Sequence, residues 1–287
     1  MLRKTLSALF PCLLFATMPA VAQTANCTFT FFQLPAPQYN RTLPSGINRY
    51  GNVVGTGQGH DGGQGMIRYS NGTFKSLLAP NSIATFFNRR NASGVTVGDW
   101  VDSNQKVHGA VYANGTWRTV DYPGGSRTEL TGINVYGTIV GFYLGSDNNY
   151  HGFKLKDGKF SAIQVPGSRW TIAMSISDTG VIVGYWDTAT TASRGFILKN
   201  GVYASYEDPK DNGNGTYFDD VNASGTIVGG YFPNENPQGF IFKNGVFEDV
   251  VVPGSIETNA SGINGYGYIT GEVFLSSGSN GYIGKCQ

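Results

Sequence analysis

The chain is poor in charge: Asp, Glu, Lys and Arg make up 14% of it, and 20 basic residues face 19 acidic ones. Arg3 and Lys4, two of those basic residues, sit in a stretch read below as a leader. The remainder is close to neutral. That balance gives no electrostatic basis for binding nucleic acid or an anionic membrane surface. Proline is also scarce, with 12 residues in 287, while aromatics reach 13%, which argues against a disordered chain. Only three cysteines and three histidines are present. No Gly-x-Ser-x-Gly elbow, His-Glu-x-x-His pair or phosphate loop occurs, so the sequence offers no catalytic motif. Long apolar runs are absent beyond the first twenty residues.

That first run has the form of a secretory signal. Leu2-Arg3-Lys4 is followed by an apolar stretch from Leu6 to Met18 and by Ala20-Val21-Ala22. The pattern predicts residues 1–22 as a signal peptide cut after Ala22. The stretch is too short to span a bilayer. A lipid anchor on Cys12 is disfavoured by Pro11 before it and by the apolar core continuing past it. A secreted or periplasmic protein of one domain, residues 23–287, is expected.

Glycine is abundant, at 41 residues, and its placement is periodic. Gly51, Gly94, Gly137, Gly180, Gly225 and Gly267 follow one another at 43, 43, 43, 45 and 42 residues. Three residues before each stands Asn48, Asn91, Asn134, Ser177, Asn222 or Asn264. Asn or Ser at the first position and Gly at the fourth is the chemistry of a type I turn. A β-branched run ending in glycine follows, as in Thr138-Ile139-Val140-Gly141. Apolar residues on consecutive positions imply a strand buried on both faces.

A loop of varying length leads to a third strand, near whose start lies Gln64, His108, His151, Arg194, Gln238 or Asn280. That strand ends in Asn71-Gly72, Asn114-Gly115, Asp157-Gly158, Asn200-Gly201 or Asn244-Gly245, the signal of a type I′ hairpin. A fourth strand opens at Phe74, Trp117, Phe160, Tyr203 or Phe247. Four strands in about 43 residues match a propeller blade. The prediction is an all-β, six-bladed propeller without helices, its units near 43–85, 86–128, 129–171, 172–216, 217–258 and 259–287.

The sixth unit stops after its third strand. Its missing fourth strand is found at the other end, where Asn26-Cys27-Thr28-Phe29 aligns with Asn71-Gly72-Thr73-Phe74 and residues 27–42 complete the unit. Cys27 and Cys286 then face each other across the broken hairpin. A bond between them would stabilise the closed ring by on the order of 5 kcal/mol, in an oxidising compartment. The alternatives are an intermolecular bond or two free thiols.

The unit Ile133-Asn134, Gly137, Ile139-Val140-Gly141, His151-Gly152-Phe153, Gly158, Phe160, Pro166-Gly167 resembles the HAF-repeat extracellular proteins, named for a His-Ala-Phe tripeptide. His108-Gly109-Ala110 and His151-Gly152-Phe153 come nearest to that tripeptide. The resemblance spans residues 27 to 287 and implies export and a propeller-like fold. It implies no catalytic residues.

Several side chains are candidates for chemistry. Trp100, Tyr143, Trp186 and Tyr231 recur two residues after the strand-two glycine and would suit stacking on sugars, or packing between blades. Asp208, Asp211, Asn212 and Asn214 form the one dense group of oxygen ligands, a calcium candidate without the spacing of known calcium loops. His60 and Asp61 are a weaker metal pair. The recurrent polar positions Gln64, His108, His151, Arg194, Gln238 and Asn280 share hydrogen-bonding capacity, which points to a structural role. No cofactor is called for.

The varied loops Asp99 to Val107, Gly145 to Tyr150, Asp187 to Ser193 and Phe232 to Pro237 are the expected recognition surface. A monomeric binding module for an extracellular polysaccharide or cell-surface ligand is the leading expectation. A glycan hydrolase or lyase would instead require carboxylates converging on the central channel, and a structural matrix protein would require self-association.

Overall fold

The computed structural model describes residues 22–35, 39–59, 62–234 and 236–286. The expected signal peptide up to residue 21, Cys12, and the pair His60 and Asp61 lie outside the described residues. All regular structure is β, and no helix is found among the described residues.

β1 (Ala22–Thr24) and β2 (Cys27–Phe32) open the chain. A first four-stranded sheet follows from β3 (Tyr39–Ile47), β4 (Val53–Gly59), β5 (Gly62–Arg68) and β6 (Phe74–Leu77). The second has β7 (Ala84–Arg90), β8 (Thr96–Val101), β9 (Val107–Ala113) and β10 (Thr116–Val120). The third has β11 (Arg127–Ile133), β12 (Ile139–Leu144), β13 (Tyr150–Lys156) and β14 (Lys159–Ile163). The fourth has β15 (Trp170–Ile176), β16 (Ile182–Asp187), β17 (Arg194–Lys199) and β18 (Val202–Tyr206). Each is an antiparallel meander, a blade with its first strand innermost.

Four discrete blades are therefore present, where six were expected. The remaining strands are β19 (Thr216–Val221), β20 (Ile227–Tyr231), β21 (Gln238–Lys243), β22 (Val246–Asp249), β23 (Ser255–Thr258), β24 (Gly262–Ile263), β25 (Tyr268–Leu275) and β26 (Gly278–Cys286). Together with β1 and β2 they form one ten-stranded sheet. Within it, β19 to β22 make an antiparallel meander, and β25, β26 and β2 pair antiparallel. The two groups merge through one parallel bridge, Gln238 to Thr258. β1 also lies parallel to β22 and caps its open edge.

The glycine turns form as the spacing predicts. In all six, the glycine N–H donates to the Asn or Ser carbonyl three residues earlier, at 3.0–3.1 Å, and the glycine φ is positive, from 75° to 83°. Four hairpins carry positive φ at both turn residues, as at Asn114 and Gly115. Asn71 does not. There Gly72 alone is left-handed, and Asn71 Oδ1 instead accepts from Thr73 N, which makes a wider loop.

Strand two is buried on both faces: Val53, Val54, Val140 and Val183 are fully inaccessible. The apolar side chains meet between blades, so that Val97 and Val111 pack with Leu130, Ile133, Ile139 and Phe153 of the next unit. The glycine ending each apolar run has a cause that periodicity does not reveal. The first strand has a register shift in five of the six units, which turns a carbonyl toward strand two. A Cβ on Gly141 would stand 2.0 Å from Glu129 O, and one on Gly184 2.0 Å from Ile172 O. Only glycine fits beneath this bulge.

β2 closes the chain against β26, with Cys27 opposite Cys286. The two are disulfide-bonded, their Cα atoms 4.0 Å apart.

Candidate functional site

The strand directions define two mouths to the space between the inner strands. At one mouth lie the Asn turns and the hairpins. At the other lie the varied loops and the links between blades.

The Asn-turn mouth is built from the repeat itself. Asn48 Nδ2 donates to Asn91 O (3.4 Å), Asn91 to Asn134 O (3.0 Å) and Asn134 to Ser177 O (3.4 Å). Asn222 donates to Asn264 O (3.1 Å) and Asn264 to Asn48 O (3.1 Å). Each side chain binds the next unit, and the ring is interrupted where Ser177 lacks an amide. Asn48, Asn91, Val135, Ser177, Asn222 and Asn264 help line a cavity of 270 Å³ at this mouth.

One side chain closes the channel above that cavity. Where three other units have Gly46, Gly132 and Gly262, the second unit has Arg89. Its guanidinium donates to Ser45 O, to Asn88 O (2.8 Å), to Asp219 O (2.6 Å) and to Ser261 O (3.0 Å). Three of the carbonyls, those of Ser45, Asn88 and Asp219, belong to the bulge residue of their own strand, and Ser261 lies just before β24. Arg89 Nε lies 3.2 Å from Asp220 Oδ1. Asp220 also accepts from Ser175 Oγ (2.5 Å) and Ile263 N (2.8 Å). A single cation thus satisfies carbonyls from four units and one buried carboxylate.

The loop-rich mouth is built from residues that do not repeat. Tyr150 and Trp170 meet edge to face (5.7 Å), as do Tyr185 and Tyr217 (4.8 Å) and Tyr217 and Phe232 (5.6 Å). Asn214, Tyr217, Phe232 and Asn234 line a shallow depression of 560 Å³. Carboxyl groups stand among these rings. Glu129 is held by Arg127 at 2.5 Å. Asp99, 6% exposed, accepts from Asn88 Nδ2 at 3.3 Å. Among the described residues, no group donates to the Asp219 carboxylate.

Burial raises these carboxyls. It drives Asp99 well above the usual range, with the Glu129 charge adding to the effect. It raises Glu129 against the opposing pull of Arg127. It pushes Asp219 up to about 7, with the Arg89 charge opposing and the Asp220 charge adding. Burial, then the charges of Asp219 and Glu129, also raises the Tyr185 phenol. The Glu129 charge thus acts on Asp99 and on Tyr185, and the Asp219 charge acts on Tyr185. None of them was a candidate from sequence. Asp99 was read as the start of a loop, and it is buried within β8 instead.

The sequence candidates lie elsewhere. Trp100, Tyr143, Trp186 and Tyr231 are each opposite the recurrent polar residue of strand three, His108, His151, Arg194 and Gln238. Trp100 stacks on His108 at 4.6 Å, and Tyr143 on Tyr122 at 3.6 Å. Trp186 and Tyr231 are buried, with polar tips on Ser205 Oγ (2.8 Å) and Asp249 Oδ1 (3.2 Å). The polar residues reach to the residue that follows strand four, where His108 Nδ1 meets Asp121 (2.8 Å), His151 Nδ1 meets Gln164 (3.3 Å), and Arg194 meets Glu207. Gln238 donates to Val250 O (2.8 Å), and Gln64 accepts from Tyr39 Oη (2.6 Å). Asn280 lies opposite Val273. These side chains are held within their own blades and do not form one site.

The Asp208 loop is likewise internally engaged. Asp211 accepts from Gly213 N and Thr216 Oγ1, both at 2.8 Å. Asn212 and Asn214 donate to Pro233 O and Phe232 O, both at 3.0 Å. Asp208 Oδ1 accepts from Lys210 N, and its buried Oδ2 has no partner among the described residues. Burial pushes this carboxyl up to about 6.

No protein-family model matches the chain, and no curated protein does. Solved structures are similar to it. A streptogramin B lyase shares 14% identity at a TM-score of 0.51, over 91% of this chain and 98% of its own. Virginiamycin B lyase from Staphylococcus aureus shares 11% at 0.51, over 91% and 99%. A gluconolactonase from Xanthomonas campestris shares 12% at 0.53, over 96% and 100%. At these identities the likeness shows the fold, a β-propeller of four-stranded blades, and leaves the chemistry open.

Proposed function

We propose that this protein is an exported propeller that binds a carbohydrate at the loop-rich mouth of its central channel. The observation that carries the reading is the wall of Tyr150, Trp170, Tyr185 and Tyr217 around Glu129 and Asp219. Flat rings stack on the apolar faces of sugars, and carboxyl groups accept from hydroxyls. Export is supported by the form of residues 1–22 and by the disulfide, which suits an oxidising compartment. We further read the ten-stranded sheet as two fused blades, which makes six units around the ring. Six equivalent glycine turns and the return of the Asn chain from Asn264 to Asn48 support this. The HAF-repeat resemblance accords with the same reading.

The test is a thermal-shift and calorimetric screen of the oxidised protein against oligosaccharides, with Tyr217→Ala and Trp170→Ala beside the unaltered chain. Binding that raises the melting temperature and is lost in both variants supports the reading. Binding that survives both, or its absence from every sugar tried, refutes it. Running each arm with calcium and with chelator tests the Asp208 loop as well. A hydrolase or lyase is the second reading, favoured by the raised carboxyls of Asp99, Glu129 and Asp219. Release of new reducing or unsaturated ends, abolished by Asp219→Asn, would establish it.

A further inference from the structure

The near-neutral total conceals a separation of charge between the two mouths. Asp102, Asp121, Asp147, Asp187 and Glu207 all lie at the loop-rich end of the strands. The Asn-turn face is basic instead, above all over the sixth, first and second units, which the amides of Asn264 and Asn48 join. The segments that build this face there, residues 261–268, 283–286, 47–53, 67–75, 89–96 and 112–117, contain no Asp or Glu. They contain Arg49, Arg68, Lys75, Arg89, Arg90 and Lys285. Arg89 is neutralised by Asp220. Among the described residues, none of the others pairs with a carboxylate.

Aromatic rings stand beside these cations. Tyr50 and Tyr266 hold the third position of their turns and are 58% and 60% exposed. The Arg49 guanidinium lies 5.4 Å from the centre of the Tyr50 ring. Lys285 Nζ donates to Tyr266 O and lies 4.8 Å from the centre of the Tyr268 ring. Lys75 Nζ donates to Tyr112 Oη (2.9 Å), and Tyr112 and Arg90 are both paired with Thr96 across the sheet. Arg90 Nη1 donates to Thr96 Oγ1 (2.6 Å) and Gly94 O (2.7 Å). Arg49, Arg90 and Tyr266 also share the wall of the 270 Å³ cavity. The carboxylates on that wall are Asp220, held by Arg89, and Asp178 of the fourth unit, which accepts from Val135 N at 3.0 Å.

Cations gathered without counter-charges raise the surface potential and draw anions. An exposed tyrosine adds a flat face on which a sugar ring can lie. A bilayer is flat on this scale and would rest on the rim, whereas a chain of sugar rings can bend into the mouth where Arg90 stands.

We propose that the Asn-turn face of the sixth, first and second units binds an acidic polysaccharide, its carboxylates received by Arg49, Lys75, Arg90 and Lys285 and its rings by Tyr50 and Tyr266. This site is separate from the loop-rich mouth and does not depend on the carbohydrate reading of that mouth. A sugar polymer is favoured over a nucleic acid by the export read above.

The experiment is calorimetry on the oxidised full chain with polygalacturonate, its methyl ester, a DNA duplex and phosphatidylglycerol vesicles as probes. Polygalacturonate should bind at least about tenfold more tightly than the uncharged ester, and lose about tenfold or more as sodium chloride rises from about 50 to 200 mM. Both readouts use the unaltered chain and need no variant to fold. Arg49→Gln, Lys75→Gln and Lys285→Gln together, all at exposed positions, should weaken binding about tenfold or more. Lys156→Gln, Lys159→Gln and Lys199→Gln remove the same charge from the third and fourth units and should cost less than about threefold, because screening confines each charge to its own neighbourhood. Tyr50→Ala with Tyr266→Ala should weaken binding and leave the salt dependence in place.

Equal affinity for polygalacturonate and its ester, or failure of both, overturns the proposal. Tighter binding of the duplex or of the vesicles also overturns it, and makes the face a nucleic-acid or lipid surface instead. Equal losses in the two triple variants overturn the assignment to these three units. Unchanged affinity in the tyrosine variant overturns the role of the rings.

Discussion

The two mouths of the channel are made from the same strands by opposite rules. At the Asn-turn mouth each unit contributes the same turn, the same positive φ and, in five of six units, the same amide reaching the next unit. At the loop-rich mouth equivalent positions differ. Five residues before the turn Asn or Ser stand Leu43, Phe86, Glu129, Ile172, Tyr217 and Asn259. One mouth is constrained by having to join to its neighbour. The other is free of that duty, because the bulges and the Asn turns below it already hold the units together. Variation against a fixed frame is therefore where chemistry concentrates.

The sharpest way to break this contrast is to remove the one residue that joins both regions. Arg89→Ala leaves Asp220 buried without its cation and strips four carbonyls of a donor. We expect a loss of about 3–5 kcal/mol, read from urea unfolding. A loss below 1 kcal/mol would mean that Arg89 does not tie the units together.

Next in size is the ring closure. Cys27→Ser with Cys286→Ser should lower stability by about 2–5 kcal/mol, and reduction of the unaltered protein should reproduce it. Because β2 and β26 still pair through six residue pairs, the fold should persist. Complete loss of the near-ultraviolet circular dichroism would show that the strands alone cannot hold the ring.

The third prediction concerns the loop-rich mouth alone. Asp219 and Asp208 bind protons more tightly folded than unfolded, at about 7 and about 6. Their contribution is complete below the unfolded carboxylate range near 4 and is lost as pH rises through 6 to 7. Melting temperature should thus fall between pH about 4 and 7.5, by on the order of 1–3 kcal/mol in stability after allowance for solvent screening. Asp219→Asn should flatten the upper part of that slope. An unchanged slope in this variant would place the titration elsewhere.

The smallest effect sharpens the other mouth. Ser177→Asn would supply the one missing amide, aimed at Asn222 O, and should add up to about 1 kcal/mol, seen as a higher melting temperature. A decrease would mean that the ring tolerates five members because the sixth does not fit.

The frame was legible because it repeats. Asn48 and its equivalents, the glycine turns, Asn114-Gly115 and the Cys27–Cys286 match can each be read against several other copies. The division into sheets was not legible. It depends on a single bridge from Gln238 to Thr258 and on the placement of β1, neither of which leaves a periodic trace. The site was hidden for the converse reason. Asp99, Glu129, Tyr185 and Asp219 occupy positions where other units carry unrelated residues, so aligning the repeats averages them away. Arg89 could have been found, since an arginine among Gly46, Gly132 and Gly262 breaks a pattern of small residues. The buried threonines form a further series, of which Thr42 and Thr216 were legible as repeat positions but not in their role. Thr42, Thr85, Thr128, Thr171 and Thr216 accept from Leu34, Ala79, Tyr122, Val165 and Asp208 N. They lie at the repeat spacing, but a threonine in a strand draws no notice until its hydroxyl is seen to replace a backbone acceptor.

The disulfide also decides how the molecule can be held. Cys27 and Cys286 sit at the broken hairpin, and hairpins lie on the face of the Asn turns. Chain leaving from Cys286 therefore departs from that face, and the disulfide passes any pull on it directly to the start of the outer strand. A particle, a resin or a cell wall attached there would carry the protein like a cup on its base, with the loop-rich opening turned outward and unobstructed.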